Sequence, residues 1–114
     1  MLRDYPAGAA ALARLKESDP RLAERWELYL GGIEIANAFS ELTDPAEQRA
    51  RFEDCAAKRR ARGSPVYPLD EAFLAALESG LPPAGGIALG VDRLILLLAG
   101  ADSLDAVLPF RDFR

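Results

Sequence analysis

Two adjacent glycines, Gly31 and Gly32, sit between stretches in which polar and apolar residues alternate, and no other feature restricts the chain as much. Arg25-Trp26-Glu27-Leu28-Tyr29-Leu30 precedes them and Ile33-Glu34-Ile35 follows. A period of two belongs to a strand with one buried face, and glycine supplies the positive φ that a two-residue turn needs. The spacing predicts a β-hairpin in which Leu30 faces Ile33, Tyr29 faces Glu34 and Leu28 faces Ile35. Glu27 then shares a sheet face with Tyr29 and Glu34, one diagonal step from Glu34, at about 7–8 Å between backbones. Two carboxylates placed so close suit hard, oxygen-preferring Mg²⁺, with nucleotide phosphates completing its shell. On spacing alone, the solvated outer face of a hairpin is the competing reading. Asn37 and Glu41 have the parity opposite to Glu34, so a regular strand would bury both, at roughly 1–3 kcal/mol for each unpaired group. Either a bulge between Glu34 and Asn37 returns them to the glutamate face, or the strand ends at Ala36 and both lie in a loop.

Around the hairpin the signals are mostly helical. Leu2 to Tyr5 reads as a short extended piece, followed by an alanine-rich run able to make a turn or two of helix. Asp44 is an N-cap, Pro45 fits the first helical position, and Glu47 completes a capping box. That helix should run to about Arg62, its last turn rich in Lys58, Arg59, Arg60 and Arg62, with Gly63 after the C-cap. The basic cluster reads as a solvated helix end more readily than as a binding patch. A second helix, capped by Asp70 and stopped at Gly80, spaces Phe73, Leu74 and Leu77 on one face. Gly85 to Gly90 forms a small-residue strand that turns directly into a helix over Val91 to Ala99, ended by Gly100, and Ser103 can cap a last short turn. Leu94 to Leu98 read as core. The order is hairpin, helix, helix, strand, helix, which implies an α+β fold, an antiparallel sheet with helices covering one side.

The glycine strand has little side-chain relief, so something flat can approach its backbone. Arg93 falls in the first turn of the helix that follows, where the dipole disfavours a cation and free N–H groups favour an anion. Together they would suit a phosphate, although a salt bridge from Arg93 to Asp92 or another acid is open on spacing alone. Neither a Walker loop nor a dinucleotide fingerprint is present.

Composition narrows the chemistry. With 114 residues, half of them apolar, one domain with a real core is expected and a second is not. A net charge of -4 argues against gripping nucleic acid through a global basic field. One cysteine, Cys55, excludes an intrachain disulfide, and we expect it to be a buried or half-buried, unreactive thiol. No leader or membrane-length apolar run is visible, so a reduced, cytoplasmic protein with no membrane contact is expected. Zero histidines rule out imidazole catalysis and leave carboxylates, Arg, Lys and backbone.

Taken together, Glu24-Arg25-Trp26-Glu27-Leu28-Tyr29-Leu30-Gly31-Gly32-Ile33-Glu34-Ile35-Ala36-Asn37-Ala38-Phe39-Ser40-Glu41-Leu42 and Gly86-Ile87-Ala88-Leu89-Gly90-Val91-Asp92-Arg93-Leu94 resemble class II lysyl-tRNA synthetases. The likeness spans essentially all of residues 1–114, with class II motif 3 at 85–99. Nothing matches motifs 1 and 2 or an anticodon-binding domain, so the resemblance implies a partial catalytic domain. It implies that Glu27 and Glu34 hold Mg²⁺ and ATP, that Asn37 and Ala88 line the amino-acid pocket, and that Glu41 pairs with the substrate ε-ammonium. It also assigns Arg93 to ATP as the catalytic cation, with Gly90 at the close-approach position. The implied reaction forms an aminoacyl-adenylate from lysine or β-lysine and passes it to an acceptor.

Two branches of the family differ in that acceptor. Ala88 stands where lysyl-tRNA synthetases have glycine and elongation factor P ligases have alanine, a methyl that would shift pocket preference by roughly 1–3 kcal/mol. Lys58 to Gly63, Leu42-Thr43-Asp44 and the short ending after Leu108 also look like the ligase branch, whereas Ser40 is synthetase-like and Ala38 departs from both. The expected partners are therefore ATP, lysine or β-lysine and elongation factor P, with tRNA-Lys as the alternative acceptor and a homodimer as the family's assembly. A truncated chain inactive alone, and a non-catalytic paralogue, are the remaining expectations.

Overall fold

A computed structural model describes residues 1–110. Residues 111–114, the end of the short terminus noted after Leu108, lie outside the described residues. Four strands form one antiparallel sheet in sequence order: β1 (Leu2–Pro6), β2 (Leu22–Leu30), β3 (Ile33–Ser40) and β4 (Gly85–Leu89). The predicted hairpin is β2–β3, with Gly31 and Gly32 at φ 56° and 80°, the positive pair of a type I′ turn. Both strands extend well beyond the alternating core that signalled them.

The hairpin register departs from simple counting at one place. Leu30 pairs with Ile33 and Tyr29 with Glu34 as expected, but Leu28 then pairs with Ala36 and Glu27 with Asn37. Ile35 is the extra residue, a bulge that accounts for two consecutive buried residues, Ile35 and Ala36. The expected Leu28–Ile35 pairing is corrected by this single step. Of the two readings for Asn37 and Glu41, the bulge is the one observed, since β3 continues to Ser40. A second irregularity lies between Arg3 and Tyr5, where Asp4 has φ 63° and turns Tyr5 toward the face that carries Glu27.

Helix α1 (Pro45–Ala61) starts on Asp44, whose carboxylate accepts from the Ala46 and Glu47 amides at 2.8 and 3.0 Å. Glu47 does not close the expected capping box; it pairs with Arg51 one turn on, which also donates to the Ala11 and Ala13 carbonyls. Helix α2 (Glu71–Glu78) buries Leu74 and Leu77, while Phe73 is left partly exposed, 6.1 Å from Phe52 of α1. Helix α3 (Val91–Ala99) ends at Gly100 in the left-handed conformation. Ser103 precedes the last short turn but its side chain makes no cap bond.

Two expectations about packing are corrected. The Leu94–Leu98 stretch is not core: among α3 residues only Leu96 is buried, and Leu98 is 80% exposed. Cys55 is exposed, because α1 buries no residue but Gln48. The core itself is small, centred on Ala10, Ala13 and Ala23 with Tyr5, Leu15 and Phe39 against it. The radius of gyration is 17.4 Å, against about 13 Å for a compact chain of this length. Helical cover of the sheet is accordingly partial, and every β4 residue is exposed. Bonds from Glu41 N to Ala84 O and from Gly90 N to Ile35 O fix which groups of β4 turn toward β3. By the alternation of an antiparallel ladder, Gly85, Ile87 and Leu89 point their N–H and C=O groups to the free edge.

Candidate functional site

The bulge at Ile35 decides what shares a surface. Glu27 and Tyr29 on β2, Glu34 and Asn37 on β3, and Gly86 and Ala88 on β4 all fall on one face: Glu27 lies opposite Asn37, and Asn37 opposite Ala88. Glu41 follows just past β3, and its Oε1 lies 3.5 Å from where a Cβ on Gly86 would stand. The glycine therefore leaves room above the sheet that Glu41 overhangs. Arg93 reaches the same surface from α3, donating from Nη1 to the Glu34 carbonyl at 2.9 Å with the Glu34 carboxylate 4.0 Å away. Its partner is thus Glu34 rather than Asp92. Gly90 permits this: a Cβ there would meet the Arg93 Cδ at 3.3 Å, so what approaches Gly90 closely is the stem of Arg93 itself.

Glu27 is the most constrained acid, 6% exposed. Its Oε1 accepts from Arg25 Nη2 at 2.6 Å and its Oε2 from the Tyr29 hydroxyl at 2.6 Å. The Tyr29 phenol, the Tyr5 phenol and Arg25 hold its carboxyl below the usual carboxylate range, against the opposing effect of burial. In return, the hydrogen bond to Glu27 and burial push Tyr5 up to about 12, and Tyr29 is raised for the same reason. Arg25 also stacks over the Tyr5 ring at 4.7 Å. Sequence reasoning singled out neither Arg25 nor the two tyrosines for a role. The signal for Arg25 and Tyr29 was their shared parity with Glu27; for Tyr5 there was none, since it faces the site only through the Asp4 irregularity.

A hard cation is the group the donor chemistry fits. Glu34 offers an accessible carboxylate, and the two engaged oxygens of Glu27 retain lone pairs. No cluster of three or more metal-ligating side chains occurs among the described residues. Two carboxylates suffice for Mg²⁺ only when phosphate and water supply the rest of its shell. The ε-ammonium and phosphate roles expected of Glu41 and Arg93 likewise fit their charge and exposure.

The antiparallel sheet thus carries acids, an amide and an arginine on the face of its glycine-bearing strand, and sequence comparison gives the chain a family. The tRNA synthetases class II (D, K and N) match residues 1–114, and the chain belongs to that family. Among curated relatives, the "Elongation factor P--(R)-beta-lysine ligase" of Klebsiella pneumoniae strain 342 is 54% identical over 106 residues, 93% of this chain and 33% of the relative. The ligases of the same name from Proteus mirabilis and Vibrio cholerae are each 52% identical, over 96% and 94% of the chain. The chain spans about a third of the length of these relatives. No helix among the described residues is long and apolar enough to cross a membrane.

Proposed function

We propose that the chain is the C-terminal part of a cytoplasmic, ATP-dependent ligase that activates lysine or β-lysine and transfers it to a lysine of elongation factor P. The observation that carries this reading is the Ile35 bulge, which brings Glu27, Glu34 and Asn37 to one face beneath Arg93. In the first half-reaction the amino-acid carboxylate attacks the α-phosphorus of ATP and pyrophosphate leaves. In the second, the acceptor amine attacks the acyl carbon, AMP leaves, and the amine gives up a proton. Arg93 takes phosphate charge, Gly90 gives it room, Glu41 faces the ε-ammonium, and Asn37 and Ala88 line the amino acid. Glu34, with Glu27 behind it, would hold Mg²⁺, which when bound neutralises phosphate charge. Positioning and charge neutralisation are enough for such chemistry without histidine.

Alone, the chain is proposed to be inactive. The large radius of gyration and the open β4 edge support a reading in which motif 1 and motif 2 elements, which residues 1–114 do not match, complete the sheet, the group on the α-phosphate and the homodimer contact. Ser40 favours a second reading, a lysyl-tRNA synthetase charging tRNA-Lys. Lysine-dependent ATP–pyrophosphate exchange tests both points. We expect none from this chain, and exchange when residues 1–114 replace the matching third of the Klebsiella ligase, with label passing to elongation factor P and not to tRNA-Lys. Exchange by the chain alone overturns the inactivity, label on tRNA-Lys overturns the acceptor, and a chimera with no coupled binding of ATP, Mg²⁺ and lysine points to a non-catalytic paralogue.

A further inference from the structure

Arg25 is the least free cation near the site. Its side chain is 17% exposed, and each of its three nitrogens has its own partner. Nη2 donates to Glu27 Oε1 at 2.6 Å, Nε to Asn37 Oδ1 at 3.3 Å, and Nη1 to the Ala9 carbonyl at 2.8 Å. The guanidinium face lies over Tyr5, so one side chain ties together β1, the turn after it, β2 and β3. Arg93, by contrast, is half exposed and makes one short bond, to a carbonyl. The two arginines divide the work accordingly: Arg25 has three of its five N–H donors committed within the protein and little exposed surface, whereas most of the donors of Arg93 are open to a ligand.

We propose that Arg25 is a positioning residue that sets the orientation of both Glu27 and the Asn37 amide, so that Asn37 presents its N–H donors, not its oxygen, to the hollow over β4. The argument is one of donor and acceptor inventory. Arginine has donors only, so the Asn37 atom that meets Nε has to be the oxygen. The Nδ2 hydrogens are then the atoms left for a ligand, and their partner has to be an acceptor. Resting on the site reading above, that acceptor is the carboxylate of lysine or β-lysine, the only acceptor such a molecule carries. Glu41, an acceptor four residues further along the same face, is left for the cationic end. The planar fork matters as well as the charge, because the three partners are met by three separate nitrogens, a spread that the single compact ammonium of lysine does not reproduce.

The test has two arms on the 114-residue chain. The first is independent of any ligand: Arg25→Lys should move the Asn37 side-chain amide and 13Cγ resonances and the Glu27 carboxyl resonance in NMR spectra. The second titrates the chain with lysine and with 1,5-diaminopentane, which lacks the carboxylate. Asn37→Asp keeps an acceptor for Arg25 and replaces the donors by a second, negatively charged acceptor. It should weaken lysine about tenfold or more, as expected for losing a hydrogen bond to a charged group, and leave 1,5-diaminopentane unchanged or tighter. Unmoved Asn37 and Glu27 resonances in Arg25→Lys, or an Asn37→Asp chain that loses both probes equally, would overturn the proposal. Should the native chain bind neither probe, the substrate reading fails for the isolated chain, and the resonances alone decide the role of Arg25.

Discussion

The two sides of this sheet are built on different terms. Across β1, β2 and β3 the polar groups are closed on one another: Glu27, Tyr5, Tyr29, Asn37 and Arg25 form one connected network with Glu27 nearly buried. Across β4 and α3 almost nothing is closed: all five strand residues are exposed, the helix buries only Leu96, and Arg93 is tethered by one short bond. The difference teaches that the chain carries its own support for Glu27 but not for Arg93 and the strand beside it. A preorganised half is rigid because its groups satisfy one another, while an open half waits on whatever completes it.

Breaking each half through its arginine should give the largest contrast. Arg25→Met leaves a nearly buried carboxylate without its cation, and removing one partner of such a pair is costly. We expect a loss of about 2–3 kcal/mol in urea unfolding followed by Trp26 fluorescence. Arg93→Met should stay within about 0.5 kcal/mol, as for surface sites generally. Equal losses from the two would erase the distinction between the halves.

Titration examines the closed half without mutation. Glu27 is held below its ordinary range, so its contribution is present above the unfolded carboxylate value and is lost as pH falls through the lower folded one. Tyr5 is raised to about 12, so its contribution is present below the ordinary tyrosine value of 10.0 and is lost as pH rises toward 12. Unfolding free energy plotted against pH should therefore fall at both ends, and Tyr5→Phe should flatten the alkaline fall.

How much of this could be read from the letters depends on which half is asked. The hairpin was legible because a period of two and a glycine pair are local signals, and the shared face of Glu27 and Glu34 followed from parity. Helices α1 to α3 announced themselves through Asp44, Pro45, Asp70 and Gly100. The Ile35 bulge was legible only as a conflict, polar Asn37 on a parity that would bury it, because a bulge inserts a residue without changing the composition around it. The Tyr5 contact was illegible, since it depends on Asp4 adopting φ 63°. Reading Leu94–Leu98 as core failed for another reason: apolar periodicity says which face is to be covered, not whether the covering partner is within the same 114 residues.

Where the halves meet, Gly31 gives a smaller effect. Its φ is 56°, and a Cβ there would stand 3.3 Å from Leu97 Cδ2 of α3, whereas Gly32 has φ 80° and open space around it. Both alanine variants bear the left-handed penalty of about 1 kcal/mol. Gly31→Ala also has to displace Leu97, so it should lower the unfolding midpoint further than Gly32→Ala does. Identical midpoints would mean that α3 is not seated on the hairpin turn.

The smallest effect on stability belongs to β4, yet it tests the open half most directly. Ile87 is 60% exposed on an edge strand, Gly85–Leu89, that carries no charge and no proline, the devices by which free edges usually avoid pairing with other chains. Ile87→Lys should change the unfolding free energy by no more than about 0.5 kcal/mol, because little of the side chain is packed. The same substitution should reduce concentration-dependent association in sedimentation velocity, since a charge next to the outward N–H groups of Gly85, Ile87 and Leu89 disfavours an added strand. Hydrogen exchange supplies the internal control: amides of Gly86 and Ala88, turned toward β3, should be protected, and those of Gly85, Ile87 and Leu89 should exchange freely. A large loss of stability from Ile87→Lys, with all five amides protected, would mean that β4 is already covered and that the open half is not open.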